Sequence, residues 1–168
     1  MPEPAKEKLV KRSGIVAFMM CGKGPTYTRM QHFTSMPKNM NAKEYTRSEV
    51  DIDGDVTDVT GYAPSIDYTF TRYLGNKVHD EFIKISNEEL TGTDAVRDVL
   101  LVDMNSLTPE SSGKYTAYKR SYSIIPGNEG DDANAYTYSG SMKSNGPSEK
   151  VEVTLDAKKM EATISPAL

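Results

Sequence analysis

At 168 residues, with 20 basic and 24 acidic side chains and a net charge of −4, the chain can bury a real core but has no basic excess to hold nucleic acid. Hydrophobic residues make up 37% and are too regularly patterned for a disordered chain. The lone Cys21 excludes an internal disulfide and reads as a buried thiol of a reducing compartment.

Residues 1–13 form a charged arm, flexible or briefly helical, carrying Lys6, Lys8, Lys11 and Arg12. The apolar run Ile15 to Cys21 is of about minimum length for an export signal and far short of the ~20 residues a membrane helix needs. It reads as the first strand, and no membrane partner is expected. The turn Gly22-Lys23-Gly24-Pro25 lacks the residue order of a phosphate loop, and Pro25 blocks a helix start. Thr26 to Phe33 is a second strand.

Residues 34–58 read as a long polar loop, although Glu44 to Ile52 could extend. Asp51, Asp53, Asp55 and Asp58 invite a calcium test, which they fail. Counting from Asp51, a calcium loop needs glycine at the sixth position and glutamate at the twelfth; Val56 and Tyr62 stand there, and Gly54 comes too early. A solvated acidic turn remains. It leads into the most regular stretch of the chain, where Ile66, Tyr68 and Phe70 alternate with Asp67, Thr69 and Thr71 behind Pro64, the pattern of a half-buried strand.

Lys77 to Leu90 holds Val78, Phe82, Ile83 and Ile85 near helical spacing, with Asp80 and Glu81 at the dipole-favoured end. His79 has no second ligand at metal spacing, and His32 is distant in sequence. Ala95 to Met104 reads as a central strand and Lys114 to Ile125 as another, followed by an acidic loop, Gly127 to Asn134. Ala135 to Lys143 and Lys150 to Asp156 are expected to form a hairpin turned by Ser144 to Ser148, and Met160 to Ile164 a last strand. The sum is mainly β: a β-sandwich or barrel of seven or eight strands in two antiparallel sheets, with one flanking helix, as a single domain over 1–168.

No nucleophile elbow, paired Cys/His motif or phosphate loop occurs, so no catalytic residue, metal or cofactor is expected. The early apolar strand, the polar loop, the passage Asp53-Gly54-Asp55 through Asp58 to Ile66-Asp67-Tyr68, the single helix and the Ser139-Gly140 to Gly146 pattern together resemble the major tail (tail-tube) proteins of long-tailed, siphophage-like bacteriophages. The resemblance spans roughly 15–164; the basic arm has no place in it. It implies a virion structural subunit, made in the host cytoplasm, that forms hexameric rings stacked into a tube. Its partners would be its own copies, tape-measure, tail-terminator and distal tail or baseplate proteins, and DNA that passes without specific binding. The polar loop, with Asn39, Glu44, Asp51, Asp53, Gly54, Asp55 and Asp58, becomes a candidate inter-ring element. Asp51, Asp131 and Asp132 become candidates for an acidic channel wall that lets a polyanion slide. The alternatives are a carbohydrate- or receptor-binding β-sandwich module of a virion, suggested by ten tyrosines, a tube subunit of a contractile or secretion-type machine, and a small hydrolase using loop carboxylates.

Overall fold

Short runs of β-branched and aromatic residues, broken by glycine, proline and asparagine, direct this chain into strands. The computed structural model describes residues 6–107 and 112–166. In chain order the strands are β1 (Ile15–Met20), β2 (Thr26–Arg29), β3 (Phe33–Ser35), β4 (Lys38–Asn39), β5 (Ala42–Ser48), β6 (Asp55–Tyr62) and β7 (Ser65–Thr71). The helix α1 (Lys77–Asn87) follows, then β8 (Val96–Asp103), β9 (Tyr115–Glu129), β10 (Thr137–Ser144), β11 (Glu149–Leu155) and β12 (Glu161–Ile164). Among the described residues the fold is mainly β with antiparallel pairing and one α-helix. The chain divides into two compact units, with β8 and β9 each contributing to both.

The first unit is a closed circuit. β1 pairs with β2, β2 with β12, β12 with β11, β11 with residues 115–119 of β9, β9 with β8, and β8 back with β1. Closure leaves no edge to aggregate. Its interior is built by cross-strand partners: Phe18 opposite Leu100, Val16 opposite Val102, Tyr27 opposite Ala162, and Tyr115 opposite Val153. Alanines at 117 and 162 leave room for Phe18 and Tyr27, the large-and-small alternation a narrow barrel needs. Cys21, expected to be buried, is only half-buried just past β1, its thiol directed at the Met19 carbonyl.

The second unit is a sheet centred on β7. β10 lies along one side of β7 and β3 and β4 along the other, and residues 122–129 of β9 pair with the far side of β10. Ile66, Tyr68 and Phe70 are buried as their alternation predicts. They meet α1, whose buried face is Val78, His79, Phe82, Ile83 and Ile85. Asn76 caps the helix, its side-chain oxygen accepting from the Val78 and His79 amides at 3.0 and 3.2 Å. Phe82 lies 4.6 Å from the Tyr68 ring and 5.6 Å from Phe70.

Three expectations are corrected here. β10 and β11 do not form a hairpin: both flank β9, β10 on its later half and β11 on its earlier half. The buried residues of β9 change parity along its length, from Tyr115 and Ala117 to Tyr122 and Ile124, so its two halves serve different cores. The expected strand 26–33 is split, because His32 adopts a left-handed φ of 64°. The polar segment 34–58 is not a loop. It contributes β3 and β4 to the sheet edge and then enters a two-stranded ribbon of β5 and β6. Charges on both faces hid that ribbon, since a ribbon without a core side shows no apolar alternation.

Gly140 marks the tightest point of the second sheet. A β-carbon there would sit 2.4 Å from the Ile125 carbonyl oxygen and 2.7 Å from the Tyr68 hydroxyl, at a register shift in the β9–β10 ladder. Gly140→Ala should therefore cost about 1–3 kcal/mol, the usual range for overpacking, in a denaturant titration. An unchanged midpoint would show that the bulge relaxes freely.

Candidate assembly surface

The ribbon exposes almost all of its residues; Arg47, Val56 and Gly61 are the half-buried exceptions. Cross-strand pairing assigns its two faces. Ala42 and Tyr62, Glu44 and Val59, Thr46 and Thr57, and Ser48 and Asp55 are partners on one face. The Thr46 and Thr57 hydroxyls are 2.9 Å apart, and the Ser48 hydroxyl donates to Asp55 at 2.5 Å. The other face carries Lys43, Tyr45, Arg47, Val56 and Asp58. There Arg47 is hydrogen-bonded to Asp58 and, at 2.7 Å, to Glu49, with its guanidinium 5.8 Å from the Tyr45 ring centre. At the base, the Asn41 side chain donates to the Ala63 carbonyl at 3.0 Å and to the Ser65 hydroxyl at 3.1 Å.

A lone two-stranded ribbon is marginal in water. This one also exposes Tyr45, Val59 and Tyr62 along its stem and Val50 and Ile52 at its tip. Apolar side chains grouped this way mark a surface that something else covers.

The residues singled out in the sequence fall in several places. Asp51, Asp53 and Gly54 form the ribbon's turn, where Gly54 takes a φ of 105°. Asp55 begins β6; Glu44 and Asp58 stand on opposite faces of the stem; Asn39 lies outside it, on β4 beside Ser65. Asp131 and Asp132 are exposed in the turn between β9 and β10, Asp132 accepting from the Asn134 amide at 2.8 Å. Among the described residues no group of three or more histidine, cysteine or acidic side chains is placed to hold a metal. Sequence reasoning missed the exposed apolar residues of the ribbon. The turn alone was legible, in the Asp53-Gly54 step ahead of Val56-Thr57-Asp58-Val59-Thr60.

The two histidines, distant in sequence, meet in the second unit with ring centres 6.1 Å apart. They form no metal pair, because both nitrogens of His79 are engaged by the backbone. Nδ1 accepts from the Tyr73 amide at 3.1 Å, so Nε2 carries the proton and donates to the Gln31 carbonyl at 2.9 Å. Burial pushes the His79 pKa below its ordinary 6.5, while the Gln31 carbonyl works the other way. The folded state therefore holds a neutral ring, and the unfolded chain binds the extra proton. This contribution is complete above about pH 6.5 and is lost as the pH falls below it. Wild-type protein should lose thermal stability between pH 7 and pH 5 with a slope of at most about 1.4 kcal/mol per pH unit from this group. His79→Gln should flatten that slope. Identical slopes would assign the acid sensitivity to other groups.

No family model and no curated protein matches the sequence itself. Solved structures do match the fold. A chain in the tail of an empty gene transfer agent particle, determined with helical refinement and C6 symmetry, superposes with a TM-score of 0.61 at 11% identity, covering 84% of this chain and 98% of that one. A chain of the native gene transfer agent virion gives 0.59 at 10% identity over the same shares. A chain of the sixfold-symmetrised anti-feeding prophage baseplate gives 0.52 at 11% identity, covering 88% of this chain and 97% of that one. The architecture is one found in phage-like tail particles. At these identities the likeness concerns the backbone and not the ribbon's side chains.

Proposed function

We propose that this chain is a non-enzymatic structural subunit of a phage-like tail, whose copies close into sixfold rings that stack into a tube. The observation that carries this reading is a fold shared over nearly the whole length of chains in C6 and sixfold tail assemblies, joined to an uncovered ribbon with apolar side chains on both faces. Side-to-side contacts that close by rotation make a ring, and contacts that do not close extend it into a stack. In this role the partners are neighbouring copies, the tape-measure, terminator and distal tail proteins that bound the tube, and DNA moving through it. Of the acidic candidates, Asp131 and Asp132, exposed in the turn between β9 and β10, are proposed for a weakly repelling channel wall. Sixfold repetition multiplies each of those charges, so a basic wall would hold DNA where an acidic one releases it.

Electron microscopy of purified protein at rising concentration tests the proposal. Sixfold rings or tubes are expected. A monodisperse monomer at high concentration, with and without tail-initiating partners, would overturn it. The likeness to a baseplate chain supports a second reading, a ring at the end of a tail. Single rings that never lengthen would favour that reading.

A further inference from the structure

The basic arm lies outside the ribbon and the proposed channel wall. Lys6 to Arg12 holds four cations against one acid, Glu7, and the whole stretch is exposed. Leu9, in its middle, is 87% exposed, and Val10 is exposed beside it. The arm is anchored at its end. The Gly14 amide donates to the Lys11 carbonyl at 2.8 Å, and the Met104 amide donates to the Gly14 carbonyl at 2.8 Å. A β-carbon at Gly14 would lie 2.7 Å from the Asn105 side-chain nitrogen and 3.2 Å from Val10, so glycine lets the arm approach the turn after β8. Lys8, Leu9 and Val10 of the arm then line an open pocket with Met104, Asn105 and Leu107. The lining thus mixes the exposed apolar side chains of Leu9, Val10 and Leu107 with the ammonium of Lys8, and Lys11 follows along the arm.

Such a pocket suits a short extended segment in which apolar and carboxylate side chains alternate. This chain carries one at the ribbon tip, Val50-Asp51-Ile52-Asp53. Val50 is fully exposed and Ile52 is exposed with it. Asp51 and Asp53 take part in no ion pair among those found in the described residues.

We propose that the ribbon tip of one copy docks into the arm pocket of a second copy, Val50 and Ile52 covering Leu9 and Leu107 while Asp51 and Asp53 face Lys8 and Lys11. The contact deepens the stacking reading and rests on it. It is heterologous, tip to arm, so it repeats from copy to copy, and directed along the tube axis it lengthens a stack where a closing rotation would make a ring. Its charges sit at the rim, where they set partner choice and salt dependence, and its apolar pairs sit at the centre.

Two exposed double variants test it, with folding checked by circular dichroism: Asp51→Lys with Asp53→Lys at the tip, and Lys8→Glu with Lys11→Glu in the arm. Each alone sets like charges against each other and should weaken self-association in sedimentation by about tenfold or more. Mixed one to one, the two proteins present complementary tips and arms to each other, and association should return. The chain carrying all four changes should also associate, with the salt sensitivity of the wild type. Variants that associate as well as wild type, or a mixture that fails to recover, would overturn the docking. Tubes formed equally by both variants would leave the tail-subunit reading standing without it. Salt-sensitive, charge-swappable oligomers that never close into rings would leave the docking standing and remove the tube. A wild type monomeric at every concentration would remove both.

Discussion

Phe70→Ala should cost about 3–5 kcal/mol of folding stability, the range for deleting a fully buried phenylalanine. Phe70 is completely buried in the central strand of the second unit. Its ring stacks on His79 at 4.4 Å and on Tyr138 at 5.3 Å, and lies 5.0 Å from Phe33 and 5.6 Å from Phe82. Truncation therefore removes the shared member of a cluster drawn from β3, β7, β10 and α1. These rings are held by different backbones and cannot all close on the vacancy, so the cost should fall toward the upper end of the range. Against a total stability of roughly 5–15 kcal/mol, that is enough to leave a measurable unfolded fraction at 37 °C. Guanidinium titration of the variant reads the loss directly. A loss under about 1 kcal/mol would mean that α1 settles into the space and that the cluster is looser than its ring distances indicate.

The same residue shows why part of this fold could be read from the sequence. Ile66, Tyr68 and Phe70 alternate because β7 has one buried face, and period-two patterning reports that directly. Strand β1 and helix α1 were legible for the same reason, each having an apolar run or stripe against a core. Pairing was less legible. Nothing local in Ala135 to Asp156 distinguishes a hairpin from two strands that both join a third; the distinction lies in the length of β9, which has room for both partners. The His32 turn was invisible too, since its left-handed backbone sits where the Gln31 carbonyl is drawn to His79, a residue 48 positions away. The candidate site was the hardest part. Its acidic residues were evident, but Tyr45, Val59 and Tyr62 belong to a ribbon with no core side, and their exposure is a tertiary fact.

That exposure leads to the second large effect. Replacing residues 44–60 by Asn-Gly should leave the subunit folded and abolish tube formation. The join is geometrically reasonable because Lys43 and Gly61 are cross-strand partners, and a two-residue Asn-Gly turn suits such a pair. Nearly every residue removed is exposed, and the hydrogen bonds lost are those within the ribbon itself. The entropic gain from a shorter connection is about 0.6 kcal/mol per halving of length, roughly 2 kcal/mol for the three halvings from the long segment to Asn-Gly. The net change in monomer stability should thus stay within about 2 kcal/mol, in contrast to the single change at Phe70. Assembly should respond oppositely, because the removed segment holds Tyr45, Val50, Ile52 and Val59, the exposed apolar side chains that lack a cover in the isolated chain. Hydrogen exchange on the intact protein gives an independent reading: ribbon amides should exchange fast in the free subunit, where a two-stranded element opens locally, and slowly in tubes. Tubes growing normally from the shortened protein, or ribbon amides equally protected in both states, would show that the ribbon is not the surface through which copies meet.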